Sequence, residues 1–317
     1  MPLENGCFVK AKVFACLERV VRKYPQATIL PGAGTEHFVN ELAQKGYCRL
    51  AASTEFIDQV IRAQVFFDYL DCLSIPHPKV SFDQAHPEAQ WLHKKYFSCG
   101  GVGVSTDQAG VSGYWQQQIH GMPVSALCIA DKHEVRVIGF CKQLTQSFSS
   151  SLPYVYAGAI ANYNISIENT FKTESYINIL RKEIKLLGVF SLDMISSEEQ
   201  LYVLEINPRL SASFELYERL NPNLNLVDAH YRVCEGERLP RFELNSGVCA
   251  YRIIYAYRPL VIPAGITWPE WVKDKPESGR CIECYEPLCS IYVDATEDRV
   301  LALLKQREQE LKNIINN

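Results

Sequence analysis

The sequence lacks a strong charge excess of either sign. Its 317 residues include 32 Lys and Arg against 36 Asp and Glu, which gives a formal net charge of −4 and a pI near 6.0. Nucleic-acid-binding proteins usually carry a basic excess or a basic stripe. The composition therefore argues against a nucleic-acid partner.

Long apolar runs are also missing. No apolar stretch approaches the roughly 20 residues that span a bilayer, and the opening residues, MPLENG, have neither the charged region nor the apolar stretch of a signal peptide. Internal repeats and low-complexity segments are absent as well. We therefore expect a cytoplasmic protein without a membrane partner, and the length predicts two or three lobes.

Cysteine, in contrast, is abundant. The twelve cysteines are spread from Cys7 to Cys289, which indicates reduced thiols rather than a compact disulfide framework. One cluster, Cys281, Cys284 and Cys289 with Cys249 upstream, contains a CxxC pair that could hold zinc or carry out redox chemistry. Because a second CxxC and a HxxxH partner are missing, the sequence favours buried or incidental cysteines, with a metal or redox role as the alternative.

The spacing of apolar residues predicts a mixed α/β (α+β) chain. Helical spacing covers 7–22, 36–45, 55–73 and 174–187, and a last helix runs from Thr296. Strand-like runs cover 27–30, 48–51, 91–97, 125–130, 135–140, 190–195, 201–207 and 288–293, with further strands within 248–262. Pro76 and Pro78 mark a boundary after the third helix.

The most informative segment is 191–213, SLDMISSEEQLYVLEINPRLSAS. Two strand-like runs flank a polar turn at 196–200, and a hairpin centred on Glu199 places Asp193 directly opposite Glu205. Side chains alternate faces along a strand, so Glu205 and Asn207 are expected to share one face. On the same reasoning Leu204 and Ile206 point into the core.

Two facing carboxylates destabilise a strand pair unless a cation lies between them. Asp193, Glu205 and the amide oxygen of Asn207 form a hard oxygen site that suits Mg²⁺ held against phosphates. Arg209 follows at the rim, after Pro208, where its guanidinium could clamp a phosphate or an acyl phosphate. The alternative is an ordinary solvated hairpin turn.

Two segments upstream carry further candidate residues. A strand with Lys94 and Lys95 runs into the glycine-rich stretch 98–104, whose backbone N–H groups could surround a polyphosphate. An ordinary flexible hairpin is the alternative. A third segment, 114–121, offers an exposed backbone edge that could pair with adenine, or else forms a polar edge strand with a turn at 121–123.

These three elements, in this order, resemble the ATP-grasp fold. In that family a strand lysine precedes a flexible glycine-rich loop, a hinge of the form E/Q-x-x-I-x-G carries adenine, and an Asp…Glu-x-Asn-x-Arg set closes the site. Here the set is LEINPR with an aspartate twelve residues before its glutamate. The resemblance runs from about residue 55 to 235. It implies a short N-terminal α/β pre-ATP-grasp domain at 1–54, a lid subdomain at 55–121 and a catalytic subdomain at 122–317.

The same resemblance implies roles for individual residues. Those implied to bind ATP are Lys94 or Lys95, the loop glycines Gly100, Gly101 and Gly103, and the hinge residues Gln116, Gln117, Gln118 and Ile119. Those implied to bind Mg²⁺ are Asp193, Glu205 and Asn207. Arg209 would act on the acyl phosphate as the catalytic residue, and Ser211 and Ser213 would lie beside the substrate.

The chain departs from the family in two ways. ATP-grasp proteins usually carry an additional lysine near the position of Arg62, whereas no lysine lies between Lys45 and Lys79. The opening strand and glycine turn expected before residue 7 are also missing, so we expect a short N-terminal domain.

Outside the ATP-grasp region the chain resembles a branch of predicted carboligases distantly related to biotin carboxylase. This branch includes ligases of methanopterin- and methylofuran-type C1-cofactor pathways, and the resemblance lies in YAG at 156–158, WPEW at 268–271 and EPLC at 286–289. It implies a ligase that joins a small carboxylic acid to an amine through an acyl phosphate, as a possible homodimer. A small-molecule kinase and a non-catalytic nucleotide-binding protein are the alternatives.

Overall fold

The computed structural model describes residues 3–4, 7–45, 49–50, 53–85, 89–107 and 112–316. The N-terminal part contains β1 (Leu3–Glu4), β2 (Cys7–Phe8), α1 (Lys10–Lys23), β3 (Thr28–Ile29), a 3₁₀ turn (Glu36–Phe38), α2 (Val39–Lys45) and β4 (Arg49–Leu50). The helix predicted from residue 7 begins at Lys10 because Cys7–Phe8 pairs with β1. β3 and β4 form a parallel pair, as expected for an α/β unit. The predicted strand 48–51 is β4, and its two end residues lie outside the described ones.

The single helix predicted over 55–73 is wrong. The chain forms α3 (Thr54–Ile61) and α4 (Ala63–Cys72), because Arg62 between them takes an extended conformation with φ −88° and ψ 104°. Neither glycine nor proline occurs between 54 and 72, so no local signal marks the break. Both helices bury aromatic residues in one core cluster, and we attribute the break to that packing.

Two antiparallel sheets follow. The smaller contains β5 (Val80–Ser81), β6 (Trp91–Lys95), β7 (Val104–Ser105) and β8 (Gly113–Gln117), in the order β5-β8-β6-β7. The larger begins with β9 (Met122–Ala130), β10 (Val135–Gln146), β11 (Val155–Ala161), β12 (Gly188–Ser196) and β13 (Leu201–Asn207). It continues with β14 (Val248–Tyr255), β16 (Val272–Lys273) and β18 (Pro287–Ala295), in the order β13-β12-β9-β10-β11-β14-β18-β16. A short pair, β15 (Leu260–Val261) and β17 (Cys281–Ile282), lies beside it.

Helices cover both faces of the larger sheet. They are α5 (Ile167–Leu180), α6 (Phe214–Leu220), α7 (Leu226–Cys234) and α8 (Glu297–Asn316). Phe190 and Leu192 of β12 pack in one core cluster with α3, α4 and α5. Leu127 and Val189 point to the opposite face and pack with α6 and α7. The sheet is thus the middle layer of the fold, and β13, β12 and β9 are its first three strands from one edge.

Helix α5 lies seven residues earlier than predicted. It begins after Ser166, whose Oγ accepts a hydrogen bond from the backbone N–H of Asn169 at 3.1 Å. This N-cap starts the helix. The chain leaves the helix after Leu180, and Ile184 and Leu186, which lie within the predicted range, are buried from the irregular segment that follows.

The C-terminal cysteines do not gather into a metal site. Cys281 is exposed, Cys284 is half-buried with its Sγ 3.3 Å from the carbonyl oxygen of Tyr257, and Cys289 is buried in β18. Within the described ranges no group of three or more His, Cys, Asp or Glu side chains could hold a metal ion. No helix in those ranges is long and apolar enough to cross a membrane.

Candidate functional site

The acidic hairpin of β12 and β13 has the predicted register. Asp193 pairs with Glu205, and Ser191 pairs with Asn207. A register shift next to Asp193 makes Met194 pair with Val203, so Leu204 is the extra residue of a β-bulge. The expectation that Leu204 points into the core is therefore wrong.

The bulge changes which residues are buried without moving the acidic pair. Val203 and Ile206 are buried, Leu204 is half-buried, and Glu205 is exposed at the site. β-Bulges often lie next to active sites, where they re-aim a side chain. Here Glu205 and Asn207 still share the face that regular alternation predicts for them.

The electrostatics of the hairpin suit a bound cation. Burial and the facing Glu205 charge raise the pKa of Asp193 to about 6, against hydrogen bonds from Ser125 and Gln143 and the positive charge of Arg209. Ser125 Oγ donates to Asp193 Oδ1 at 2.6 Å. A divalent cation between the two carboxylates would remove the repulsion that raises this pKa.

Asn207 ties the acidic pair together. Its Nδ2 donates to Asp193 Oδ2 at 3.1 Å and to Glu205 Oε1 at 3.3 Å. The side chains of these three residues are therefore already gathered. The two carboxylates provide oxygens of the kind that Mg²⁺ prefers, and phosphate and water oxygens can fill further positions. The amide oxygen of Asn207 faces Arg209 and becomes a ligand only when the amide rotates by half a turn.

Arg209 connects this cluster to the N-terminal part of the chain. Its Nη2 donates to Asn207 Oδ1 at 2.9 Å, and its Nε donates to Glu36 Oε1. The Arg209 and Glu36 side chains are both only 11% exposed. Arg209 is thus held at the rim of the acidic site by Asn207, two residues before it, and by Glu36, 173 residues before it.

Ser211 and Ser213 lie on the loop that leads from Arg209 into α6. Their Oγ atoms are 3.1 Å apart, and the Ser213 hydroxyl also bonds the thiol of Cys141. Ser213 is buried, whereas Ser211 is half-exposed. Of the two hydroxyls, that of Ser211 is therefore the more accessible to a bound molecule.

The two candidate lysines lie on opposite faces of β6. Burial lowers the pKa of the Lys94 ammonium, while the charges of the Glu205 and Asp193 carboxylates act to raise it. Lys95 pairs with Gly113 and points to the other face, because side chains alternate along a strand. The geometry favours Lys94 as the residue that faces the acidic hairpin.

The glycine-rich loop is docked on the larger sheet. The carbonyl oxygen of Gly100 accepts a hydrogen bond from the backbone N–H of Tyr156 at 2.9 Å, and Gly103 accepts one from Lys95 at 2.9 Å. Gly100 and Gly101 have φ of +64° and +75°, a conformation that favours glycine. The loop therefore closes over the start of β11.

The hinge connects the two sheets. The backbone N–H of Gln117 donates to Lys79 O, that of Gln118 donates to Gln90 O, both at 2.8 Å, and Gln118 Nε2 donates to the hydroxyl of Tyr154. Ile119 follows in irregular chain and is half-buried.

The buried side-chain amide of Gln116 has an unsatisfied hydrogen-bond donor. Its side chain is 2% exposed, and its Nε2 has no hydrogen-bond partner among the described residues. It lies on the face of β8 that also carries Tyr114, across from Leu92 and on the same face as Lys94. A buried orphan donor on this face fits a bound nucleotide, because buried polar groups are normally paired.

Three residues of this constellation were missed in the sequence. Ser125 and Gln143 reach the site from β9 and β10, and Glu36 reaches it from the 3₁₀ turn. Each is brought in by strand pairing or tertiary packing. The only available signal was that Ser125 opens a strongly apolar strand.

The chain is similar to known proteins in sequence and in fold. A family model described as "ATP-grasp domain" matches residues 65–213. The chain is 25% identical over 236 residues to the carbamoyl phosphate synthase large chain of Clostridium perfringens, a match that covers 65% of this chain and 22% of that protein. The chain thus spans about a fifth of the length of this relative.

Solved structures share the fold. The L-amino acid ligase from Bacillus licheniformis superposes with a TM-score of 0.74 at 11% identity, over 93% of this chain and 82% of that one. The biotin carboxylase domain dimer of the Hydrogenobacter thermophilus 2-oxoglutarate carboxylase, a complex with MgADP, ADP and bicarbonate, gives 0.71 at 15% identity, over 94% and 76%. Residues 65–213 thus match the ATP-grasp domain model, and the chain has the ATP-grasp fold that these structures share.

Proposed function

We propose that this chain is an ATP-dependent ligase that joins a small carboxylic acid to an amine. The observation that carries the proposal is the linked set of Asp193, Glu205, Asn207 and Arg209, with Lys94 facing it from the smaller sheet. This set combines a hard oxygen site for a cation with two cationic side chains for anionic oxygens. Such an arrangement is suited to phosphoryl transfer, which depends on positioning and charge neutralisation.

Within this proposal Asp193, Glu205 and Asn207 hold Mg²⁺, and Lys94 contacts phosphate oxygens of ATP. In the hinge from Gln117 to Ile119, adenine would meet the backbone groups other than the N–H groups of Gln117 and Gln118, which already donate to Lys79 and Gln90. The orphan Nε2 of Gln116 finds its partner on the nucleotide. Bound ATP would supply the phosphoryl group, and the Mg²⁺ held with it would neutralise the negative charge that develops during transfer. The glycine-rich loop excludes water by docking on β11.

Arg209 acts on the acid substrate. A substrate carboxylate oxygen attacks the γ-phosphorus, the bond to the β-phosphate oxygen breaks, and ADP leaves. Arg209 orients the carboxylate and stabilises the negative charge that develops on the acyl phosphate. The amine nitrogen then attacks the acyl carbon, phosphate leaves and the nitrogen loses a proton, which gives an amide.

A panel of acid and amine pairs tests this function through ADP release. We expect release to require both partners in one combination and to fall at least about 100-fold in Arg209→Lys, since Lys cannot reproduce the planar guanidinium contacts. Arg232→Lys, which alters an exposed ion pair with Glu237, is the matched control and should leave the rate unchanged. ADP release with a single alcohol acceptor and no amine would identify a kinase instead and refute the proposal.

The finer part of the proposal is a role in making a methanopterin- or methylofuran-type C1 cofactor. It is supported by the sequence resemblance at 156–158, 268–271 and 286–289. Precursors of such cofactors therefore belong in the panel. If ligation occurs only with unrelated acids, this finer assignment fails while the ligase proposal stands.

A further inference from the structure

Glu36 is an acidic residue that approaches the candidate site from outside the ATP-grasp domain. Its side chain is buried against Arg209, although 173 residues separate the two in sequence. Ordinary solvated glutamates are not held in this way, since charged side chains are rarely buried unless they are paired. The pairing therefore needs a structural or functional reason.

The backbone around Glu36 is well anchored. The hydroxyl of Thr35 donates to Gly32 O at 2.8 Å and accepts from the backbone N–H of Gly32 at 3.0 Å, which closes the preceding turn. Phe38 is 5% exposed and packs its ring edge-on against Phe14 at 6.1 Å. Glu36 thus lies between two fixed points and presents its carboxylate from a defined position.

The contacts of Arg209 are divided between its two ends. Nε donates to Glu36 and one Nη2 hydrogen goes to Asn207, while Nη1 has no hydrogen-bond partner among the described residues. A guanidinium is planar with five N–H donors, so two contacts fix its plane and leave three donors, two on Nη1 and one on Nη2. The Glu36 carboxylate binds at Nε and therefore uses none of these Nη donors.

We propose that Glu36 is a positioning residue: its carboxylate holds the Nε of Arg209, so that the Nη edge is presented to the anionic oxygens of the reaction. The inference rests on the role given to Arg209 in the proposed function. Glu36 touches neither nucleotide nor substrate in this account. Glu36 orients Arg209 before nucleotide and substrate bind, so that the Arg209 side chain loses less conformational entropy on binding.

The pairing itself is tested without any ligand, by NMR of ¹⁵N-labelled arginine side chains. The Arg209 Nε–H signal is assigned by its loss in Arg209→Lys. In wild type we expect a downfield signal that exchanges slowly with solvent. In Glu36→Gln it should move upfield and exchange at least about tenfold faster, because a charge-assisted hydrogen bond is lost. The control is Glu41→Gln, which breaks an ion pair with Lys10 in the same N-terminal part and should leave the signal unchanged.

The functional consequence is measured as binding of inorganic phosphate to the protein saturated with Mg·ADP. We expect Glu36→Gln to weaken phosphate binding about 10- to 100-fold, the value of one charge-assisted hydrogen bond, while Mg·ADP affinity changes less than about twofold. In an Arg209→Lys background Glu36→Gln should have no further effect, which a general loss of folding would not reproduce.

Two results would overturn the inference. An Arg209 signal that is the same in wild type and Glu36→Gln would mean that no pair exists. Tighter phosphate binding in Glu36→Gln would mean that Glu36 competes with the anion instead of orienting its partner. If wild type fails to bind Mg·ADP, the proposed function fails, and the NMR comparison still decides whether Glu36 holds Arg209.

Discussion

The docked glycine-rich loop requires that Gly101 carry no side chain. A Cβ built at this position lies 1.9 Å from the carbonyl oxygen of Tyr154 and 2.9 Å from its carbonyl carbon, both of which are backbone atoms. The neighbouring Gly100 has a similar positive φ, +64° against +75°, but an added Cβ there meets no atom within 4 Å. An alanine at position 100 therefore introduces backbone strain alone, whereas an alanine at position 101 introduces the same strain and a steric overlap.

The size of each effect follows from these contacts. A non-glycine residue in the left-handed conformation costs about 1–2 kcal/mol. Gly100→Ala adds only this cost, which shifts the loop toward the undocked state roughly 5- to 30-fold. Gly101→Ala also displaces the loop from β11 and breaks the bond from Tyr156 N–H to Gly100 O, worth about 0.5–1.5 kcal/mol. Its total of about 1.5–3.5 kcal/mol corresponds to roughly 10- to 400-fold.

Hydrogen exchange of the Tyr156 amide reports this docking directly, because its N–H is the donor to the loop. We expect the amide to exchange faster in Gly101→Ala than in Gly100→Ala, and faster in both than in wild type, with unchanged exchange in the core of α8. The same exchange rate in the two alanine variants would refute the steric reasoning. Unchanged protection in Gly101→Ala would refute the docked loop itself.

Three further predictions concern the rest of the molecule. Lys94→Met should weaken binding of a Mg·ATP analogue by calorimetry about 10- to 100-fold, while Lys95→Met on the other face of β6 should change it less than about twofold. Asp131→Asn should lower the free energy of unfolding in urea by about 1–3 kcal/mol, because the buried carboxylate accepts three backbone N–H bonds. Burial alone raises the pKa of Asp131, but these hydrogen bonds lower it below the unfolded value. The stabilisation is therefore present above the unfolded pKa of about 3.9 and should fade as the pH falls below that value. Phe190→Ala should cost about 3–5 kcal/mol in the same assay, since the ring is fully buried, with an unchanged far-UV spectrum.

The sequence predicted the acidic hairpin because all of its information is local. Alternation, a polar turn and a terminal proline determine that Asp193 faces Glu205, and the structure has this register. The bulge at Leu204 was not predictable in the same way. The bulge lies where β12 is hydrogen-bonded to β13 on one side and to β9 on the other. The register between three strands cannot be read from the spacing of residues within one of them.

The residues that complete the site could not be found by local reasoning. Glu36 follows an unremarkable turn, and only the packing of the N-terminal part brings it to Arg209. Tertiary packing also accounts for the break between α3 and α4 at Arg62, and it contributes to the early start of α5 at Ser166. For α5 the prediction rested on apolar spacing over 174–187, whereas the helix begins at the cap that Ser166 provides.

The most direct test of the central claim is calorimetric binding of a non-hydrolysable ATP analogue, with and without Mg²⁺. Wild type, Glu205→Gln and Glu199→Gln should be compared; Glu199 is an exposed residue of the same hairpin turn and serves as the matched control. We predict micromolar binding that requires Mg²⁺ in wild type and Glu199→Gln, and that weakens at least about tenfold in Glu205→Gln through loss of a metal ligand. Absence of binding in wild type, or binding that ignores both Mg²⁺ and Glu205, would contradict the account.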